Sequence, residues 1–178
     1  MFKRFIPEFH AKSIYDININ FYKKLYISLI ISDLDNTLDA FNDGTPSLKA
    51  IELVKNIRNS GIDFIVISNN TKKRVSKYCD VLKVNYISSA RKPFSYKIKK
   101  HIKELNINPE NVIIIGDQTV TDICAGNGAK IHTILTDKLV ENDQITTKFN
   151  RIFDKRIRKK LKNKGLLREW EDYLDGNN

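Results

Sequence analysis

Three runs of branched apolar residues, each too short for a helix, constrain this chain more than any other feature. They are residues 25–32 (LYISLIIS), 62–68 (IDFIVIS) and 111–115 (NVIII). Unbroken apolar runs of that length read as strands covered on both faces, the condition of a parallel sheet. Residues 85–88 and 131–135 are weaker candidates of the same kind. Between the runs lie stretches of helical periodicity at 46–59, 71–82, 93–105 and 120–127. Pro46 and Pro93 suit a first helical turn, and Gly61 the position just past a helix end. This alternation predicts an α/β fold, a doubly wound, Rossmann-like parallel sheet with right-handed crossovers. In such sheets chemistry gathers beyond the carboxyl ends of the strands.

Four predicted strands end in polar groups of related chemistry. The first ends in Ser32-Asp33-Leu34-Asp35-Asn36-Thr37. Two carboxylates this close repel unless a cation or proton lies between them, and Mg²⁺ prefers such oxygen ligands together with phosphate. Taken alone, the pair reads equally well as a solvated strand end. The second strand ends in Ser68-Asn69-Asn70-Thr71, where a hydroxyl and backbone N–H groups at a helix start form either a phosphate cradle or a plain N-cap. After the third comes Arg91-Lys92-Pro93, which leaves Lys92 at the sheet edge, to neutralise phosphate oxygens or simply to face solvent. The fourth ends in Gly116-Asp117, with Asp122 following; Gly116 permits close backbone approach and Asp117 supplies a third carboxylate. The agreement of four strand ends at one edge outweighs the weakness of each.

Together these residues resemble the haloacid dehalogenase (HAD) superfamily of phosphotransferases. The motifs are DLDNTL, the Ser68 strand end, Lys92 and GDQTVTD. A closer likeness, to the YqeG-type phosphatases and their mitochondrial phosphatidylglycerophosphatase relatives, spans residues 1 to about 160. It rests on MFKRFIPEFHAKSIYDIN, ISNN, ARKPF, GDQTVTDICAGNGAKIHTIL and FNRIFDKRI. The resemblance implies that Asp33 is a nucleophile forming an aspartyl-phosphate and that Asp35 is its acid/base partner. It implies Mg²⁺ held by Asp33, the backbone carbonyl of Asp35, and Asp117, with Asp122 in support. Ser68, the backbone around Asn69, and Lys92 would bind the phosphoryl oxygens. The implied reaction is hydrolysis of phosphatidylglycerophosphate to phosphatidylglycerol.

The expected organisation is one HAD-like domain over residues 1–178. Its core covers about 25–140, with an N-terminal extension at 1–24 and a basic helical C-terminal extension at 148–178. Cap domains in the superfamily follow the first motif or precede the lysine, and both intervals are short here, so a capless enzyme with an open site is expected. The chain carries a net charge of +10, and ten Lys and Arg face one acid between Lys148 and Arg168. Such an excess favours anionic partners: a phosphorylated small molecule or lipid, and an anionic membrane touched peripherally. On the C-terminal helix Phe149, Phe153, Ile157 and Leu161 repeat on one side among basic residues, which suits either a bilayer surface or packing on the sheet. Phe2, Phe5, Ile6 and Phe9 pose the same choice at the other end.

No run approaches a membrane span, and the basic start lacks the apolar core and cleavage site of a signal peptide. Cys79 and Cys124 form no CxxC pair. A cytoplasmic protein is expected, either free or at the inner face of the membrane. Two rival functions remain at this point: a soluble phosphatase for sugar phosphates, nucleotides or polynucleotide ends, and a phosphate-binding scaffold without catalysis. Nucleic acid is disfavoured because no aromatic-interleaved basic platform is evident, and oligomeric state is open.

Overall fold

A computed structural model describes residues 2–40, 44–140 and 148–176, without the side chains of 148–151. All five expected strands form, as β2 (Leu29–Asp33), β3 (Asp63–Ile67), β4 (Asn85–Ile87), β5 (Val112–Gly116) and β6 (His132–Thr136). An unexpected one, β1 (Phe9–Ala11), comes from the N-terminal extension. Among the described residues the sheet has six strands in the order β1-β6-β5-β2-β3-β4, and every pairing is parallel. Alternate residues feed two cores. Ile30, Val66, Ile113 and Ile115 face one side, and Leu29, Ile31, Ile65, Val112 and Ile114 face the other. Each fully buried branched side chain contributes about 1.5–3 kcal/mol.

β2 starts four residues later than the apolar run suggested. Helix α1 (Ile19–Lys24) is capped by Leu25, and Tyr26 takes a left-handed φ of 55°, so the chain reaches Leu29 before it is extended. Helices α2 (Leu48–Asn59) and α3 (Lys72–Leu82) fall where expected. The first turn of α2 is capped by the Ser47 side chain, which accepts from the Ala50 N–H at 3.1 Å, so Pro46 precedes the cap. Pro93 likewise lies outside its helix. Arg91 has φ 59° and accepts a turn hydrogen bond from the Phe94 N–H, the Lys92–Pro93 bond is cis, and α4 begins only at Tyr96 (Tyr96–Glu104). The fourth expected helix divides into a π-helical turn, Thr119–Ile123, and α5 (Cys124–Ala129).

Both extensions join the α/β layer. The N-terminal segment pairs β1 with β6 and buries Phe9, Ile14, Phe21 and Tyr22, so the extension adds a strand to the sheet. Phe9 is therefore core, whereas Phe2, Phe5 and Ile6 are half-buried. The C-terminal segment forms α6 (Lys148–Asn163) and α7 (Trp170–Leu174). Trp170 and Tyr173 meet Phe21 edge-on at 5.8 and 5.9 Å, tying α7 to the N-terminal extension. Both cysteines are free and buried. Among the described residues no helix is long and apolar enough to cross a membrane.

Candidate active site

The pleat of β2 stops at Asp33. Asn36 has a left-handed φ of 63° and donates its N–H to the Asp39 carbonyl at 2.8 Å, turning the chain. Asp39 is buried and fixes the far side of this turn, accepting from the Ser47 N–H at 2.9 Å and the Tyr78 hydroxyl at 2.5 Å. Asp33 and Asp35 consequently take different partners.

Asp33 enters a buried cluster at the carboxyl ends of β2 and β5. Lys92 Nζ donates to Asp33 Oδ1 at 2.5 Å and to Asp122 Oδ1 at 2.6 Å. Oxygens of Asp33, Asp117 and Asp122 all lie within 4.8 Å of one another. Gly116 makes room for this: a Cβ there would stand 2.3 Å from Asp122 Cγ. Asp122 also accepts from the Gln118 N–H at 3.1 Å, which closes the loop that carries Asp117. Burial pushes the Asp33 carboxyl well above the usual range. Lys92 opposes that shift, while Asp122, Asp35 and Asp117 add to it. Burial also works against the charge on Lys92, but Asp122 and Asp33 outweigh it and leave the ammonium more basic than a free lysine. One ammonium thus faces three buried carboxylates, an imbalance that a hard divalent cation with oxygen ligands relieves. The donor set fits such an ion.

Asp35 lies outside that converging trio. Its Oδ2 accepts from Asn70 Nδ2 at 2.7 Å and its Oδ1 from Arg74 Nη2 at 2.5 Å. Burial raises its pKa, with Arg74 foremost among the groups that pull it back. The metal role expected of Asp35 used its backbone carbonyl, which is independent of these side-chain contacts. Ser68 is buried beside the cluster, and its Oγ accepts from the Asn70 N–H at 3.1 Å. Asn69 pairs reciprocally with the Lys92 backbone: its Oδ1 accepts from the Lys92 N–H at 2.8 Å, and its Nδ2 donates to the Lys92 carbonyl at 3.1 Å. The Asn69 side chain therefore positions the lysine.

Sequence reasoning missed Arg74 and Asn70. Their spacing of four residues, across a helix start beside a second strand end, was the available signal. It also treated the end of the GDQTVTDICAGN string as signature alone. Asn127 donates to the carbonyls of Arg4 and Ile6 at 3.0 and 2.9 Å, so that asparagine anchors the N-terminal segment.

A family model described as HAD-hydrolase-like matches residues 89–152. The probable phosphatase YqeG of Bacillus subtilis is 33% identical over 170 residues, covering 96% of this chain and 98% of that protein. The chain belongs to the HAD superfamily, as a member of its YqeG-type phosphatases. Among solved structures, an uncharacterized protein from Listeria monocytogenes serotype 4b superposes with a TM-score of 0.52. It is 15% identical and covers 67% of this chain and 86% of its own, a likeness of fold alone.

Proposed function

We propose that this chain is a Mg²⁺-dependent phosphomonoester hydrolase acting through an aspartyl-phosphate on Asp33, with phosphatidylglycerophosphate as its substrate. The convergence of Asp33, Asp117, Asp122 and Lys92 at one sheet edge carries the chemical part of this reading. Asp33, Asp117 and the Asp35 carbonyl would hold Mg²⁺, with Asp122 in support, and the ion would supply positive charge to the carboxylates and to phosphoryl oxygen.

An Asp33 carboxylate oxygen attacks phosphorus as the ester P–O bond breaks, and the leaving oxygen takes the proton of Asp35. Burial raises the Asp35 pKa, which favours the protonated form this step needs. Water then yields a proton to Asp35 and attacks phosphorus. The bond to Asp33 breaks and inorganic phosphate leaves. Ser68, the backbone at Asn69, and Lys92 bind the equatorial oxygens as charge spreads over them.

The lipid substrate is supported by the family resemblance, by the intervals 34–47 and 88–95, which are too short to hold a cap domain, and by the outer face of α6. On that face Ile152 and Phe153 are 54% and 50% exposed, among exposed Lys155, Arg156, Lys159, Lys160 and Lys162. Apolar side chains set among cations suit an anionic bilayer. The expected stripe divides: Leu161 is fully buried, Ile157 half-buried, Phe153 remains out, and Phe149 lies outside the described side chains.

Phosphate release from phosphatidylglycerophosphate vesicles, against sugar phosphates and 3′-phosphorylated DNA, tests the proposal. Turnover of the lipid that EDTA abolishes is expected. Preference for a soluble substrate removes the lipid reading, and no turnover on any substrate with Mg²⁺ removes catalysis. Replacing Lys159, Lys160 and Lys162 by Gln should weaken sedimentation with anionic vesicles at low salt; unchanged binding rules that face out.

A further inference from the structure

The inner face of α6 is polar where it meets the site. Asp154, the one acid among the basic residues of this segment, is only 3% exposed. Its Oδ1 accepts from both the backbone N–H and the hydroxyl of Thr119, each at 2.6 Å. Its Oδ2 accepts from Arg158 Nε at 2.9 Å. Arg158 Nη2 donates to the backbone carbonyls of Asp117 and Thr136, and Nη1 reaches Asp137 Oδ1 at 3.3 Å. The β5–β6 ladder ends at Gly116 and Leu135, so Asp117 and Thr136 stand just past that ladder, Thr136 still paired with Ala11 of β1. One guanidinium takes the carbonyls of both. The loop bearing Asp117 is thus held by Arg158 at its first residue and by Asp154 at its third.

We propose that Asp154 and Arg158 are positioning residues for the Asp117 carboxylate, which makes α6 part of the support of the metal site. The inference rests on the reading of Asp117 as a metal ligand. Groups that orient a ligand without touching the ion typically change metal affinity ~10–100-fold when removed. Arg158 cannot be replaced by lysine here, because a single ammonium does not span two carbonyls and two carboxylates.

The test uses the full chain with Mn²⁺ as a spectroscopic probe, read by electron paramagnetic resonance, alongside thermal unfolding without metal. Wild type should bind Mn²⁺ and Asp117→Asn should lose it. Asp154→Asn, Arg158→Lys and Arg158→Met should each bind ~10–100-fold more weakly while remaining folded. Leu161→Ala, on the same buried side of the helix but with no polar contact to the loop, should lower the melting temperature and leave Mn²⁺ affinity unchanged. Should Arg158→Met fail to fold, the near-isosteric Asp154→Asn carries the test. Wild-type affinity in the Asp154 and Arg158 variants overturns the inference, as does an equal loss in Leu161→Ala. Normal Mn²⁺ binding by Asp117→Asn, or none by wild type, overturns the metal-site reading beneath it.

Discussion

Asp33 and Asp35 stand two residues apart yet occupy opposite electrostatic settings. Around Asp33 one ammonium, itself 3% exposed, binds Asp33 and Asp122, and the buried Asp117 carboxylate lies within 4.8 Å of both. Around Asp35 one carboxylate meets one guanidinium and one amide, with the Arg74 and Asp35 side chains 27% and 20% exposed. The inner group gathers more carboxylates than the one ammonium it binds and could hold a cation; the outer group pairs one carboxylate with one guanidinium. This division suits a nucleophile whose raised pKa an added cation would bring back down, and an acid/base group that must gain and lose a proton.

The largest expected effect tests the inner half. Asp33→Asn should reduce turnover by at least about a thousandfold, as loss of a covalent nucleophile does, with melting temperature little changed. Substantial remaining activity sinks the assignment. Lys92→Met should come next. Breaking a buried pair costs about 3–5 kcal/mol because it leaves charge uncompensated. Unfolding by urea should show that loss without metal, and Mg²⁺ should restore part of it. A metal-independent loss would mean that the lysine, and not a cation, is the main counter-charge.

The outer half predicts a smaller and different response. Arg74→Met removes the guanidinium from Asp35 but leaves Asn70 in place, so kcat should fall about tenfold. The Mg²⁺ concentration for half-maximal activity should not move, since the carboxylate that Arg74 binds, Asp35, lies outside the inner cluster. A shift in Mg²⁺ demand would erase the distinction between the two halves.

How much of this was legible in the sequence follows from what kind of information each part needs. Three strands of the α/β layer, β2, β3 and β5, were plainly readable because they are buried on both faces and so carry unbroken apolar runs, while β4 and β6 gave weaker signals. The motif residues were readable because each sits at a strand's carboxyl end, where topology alone brings them together. β1 was not, since a three-residue edge strand leaves no periodic signal and exists only because β6 offers it a partner. Arg158 was not distinguished from the other basic residues of α6: in a run so rich in cations, nothing local separates the one that turns inward. Asp154 was the clue, an acid four residues before it, but its partner Thr119 lies 35 residues away in the chain. Side-chain roles that depend on such distant partners become visible only in three dimensions.

The smallest effect concerns charges outside both the inner and the outer group that balance without metal. His10 lies between Glu169 at 2.9 Å and Asp137 at 3.4 Å, and His132 meets Glu8 at 2.7 Å. Burial lowers the His10 pKa, but Asp137 and Glu169 outweigh it and leave the value above 6.5. For His132 the hydrogen bond to Glu8 raises the pKa, and burial only partly offsets it. A histidine whose pKa is raised by folding binds its proton more tightly in the folded chain. Its contribution is therefore complete below pH 6.5 and disappears as pH climbs through the raised folded value. Urea midpoints should fall modestly from pH about 6 to about 9, and the fall should flatten in a His10→Asn, His132→Asn double variant. If the slope survives in that variant, the histidines are not its source. If the double variant also changes Mg²⁺ demand, the Asp137 link from His10 to Arg158 reaches further into the site than the inner and outer groups alone would suggest.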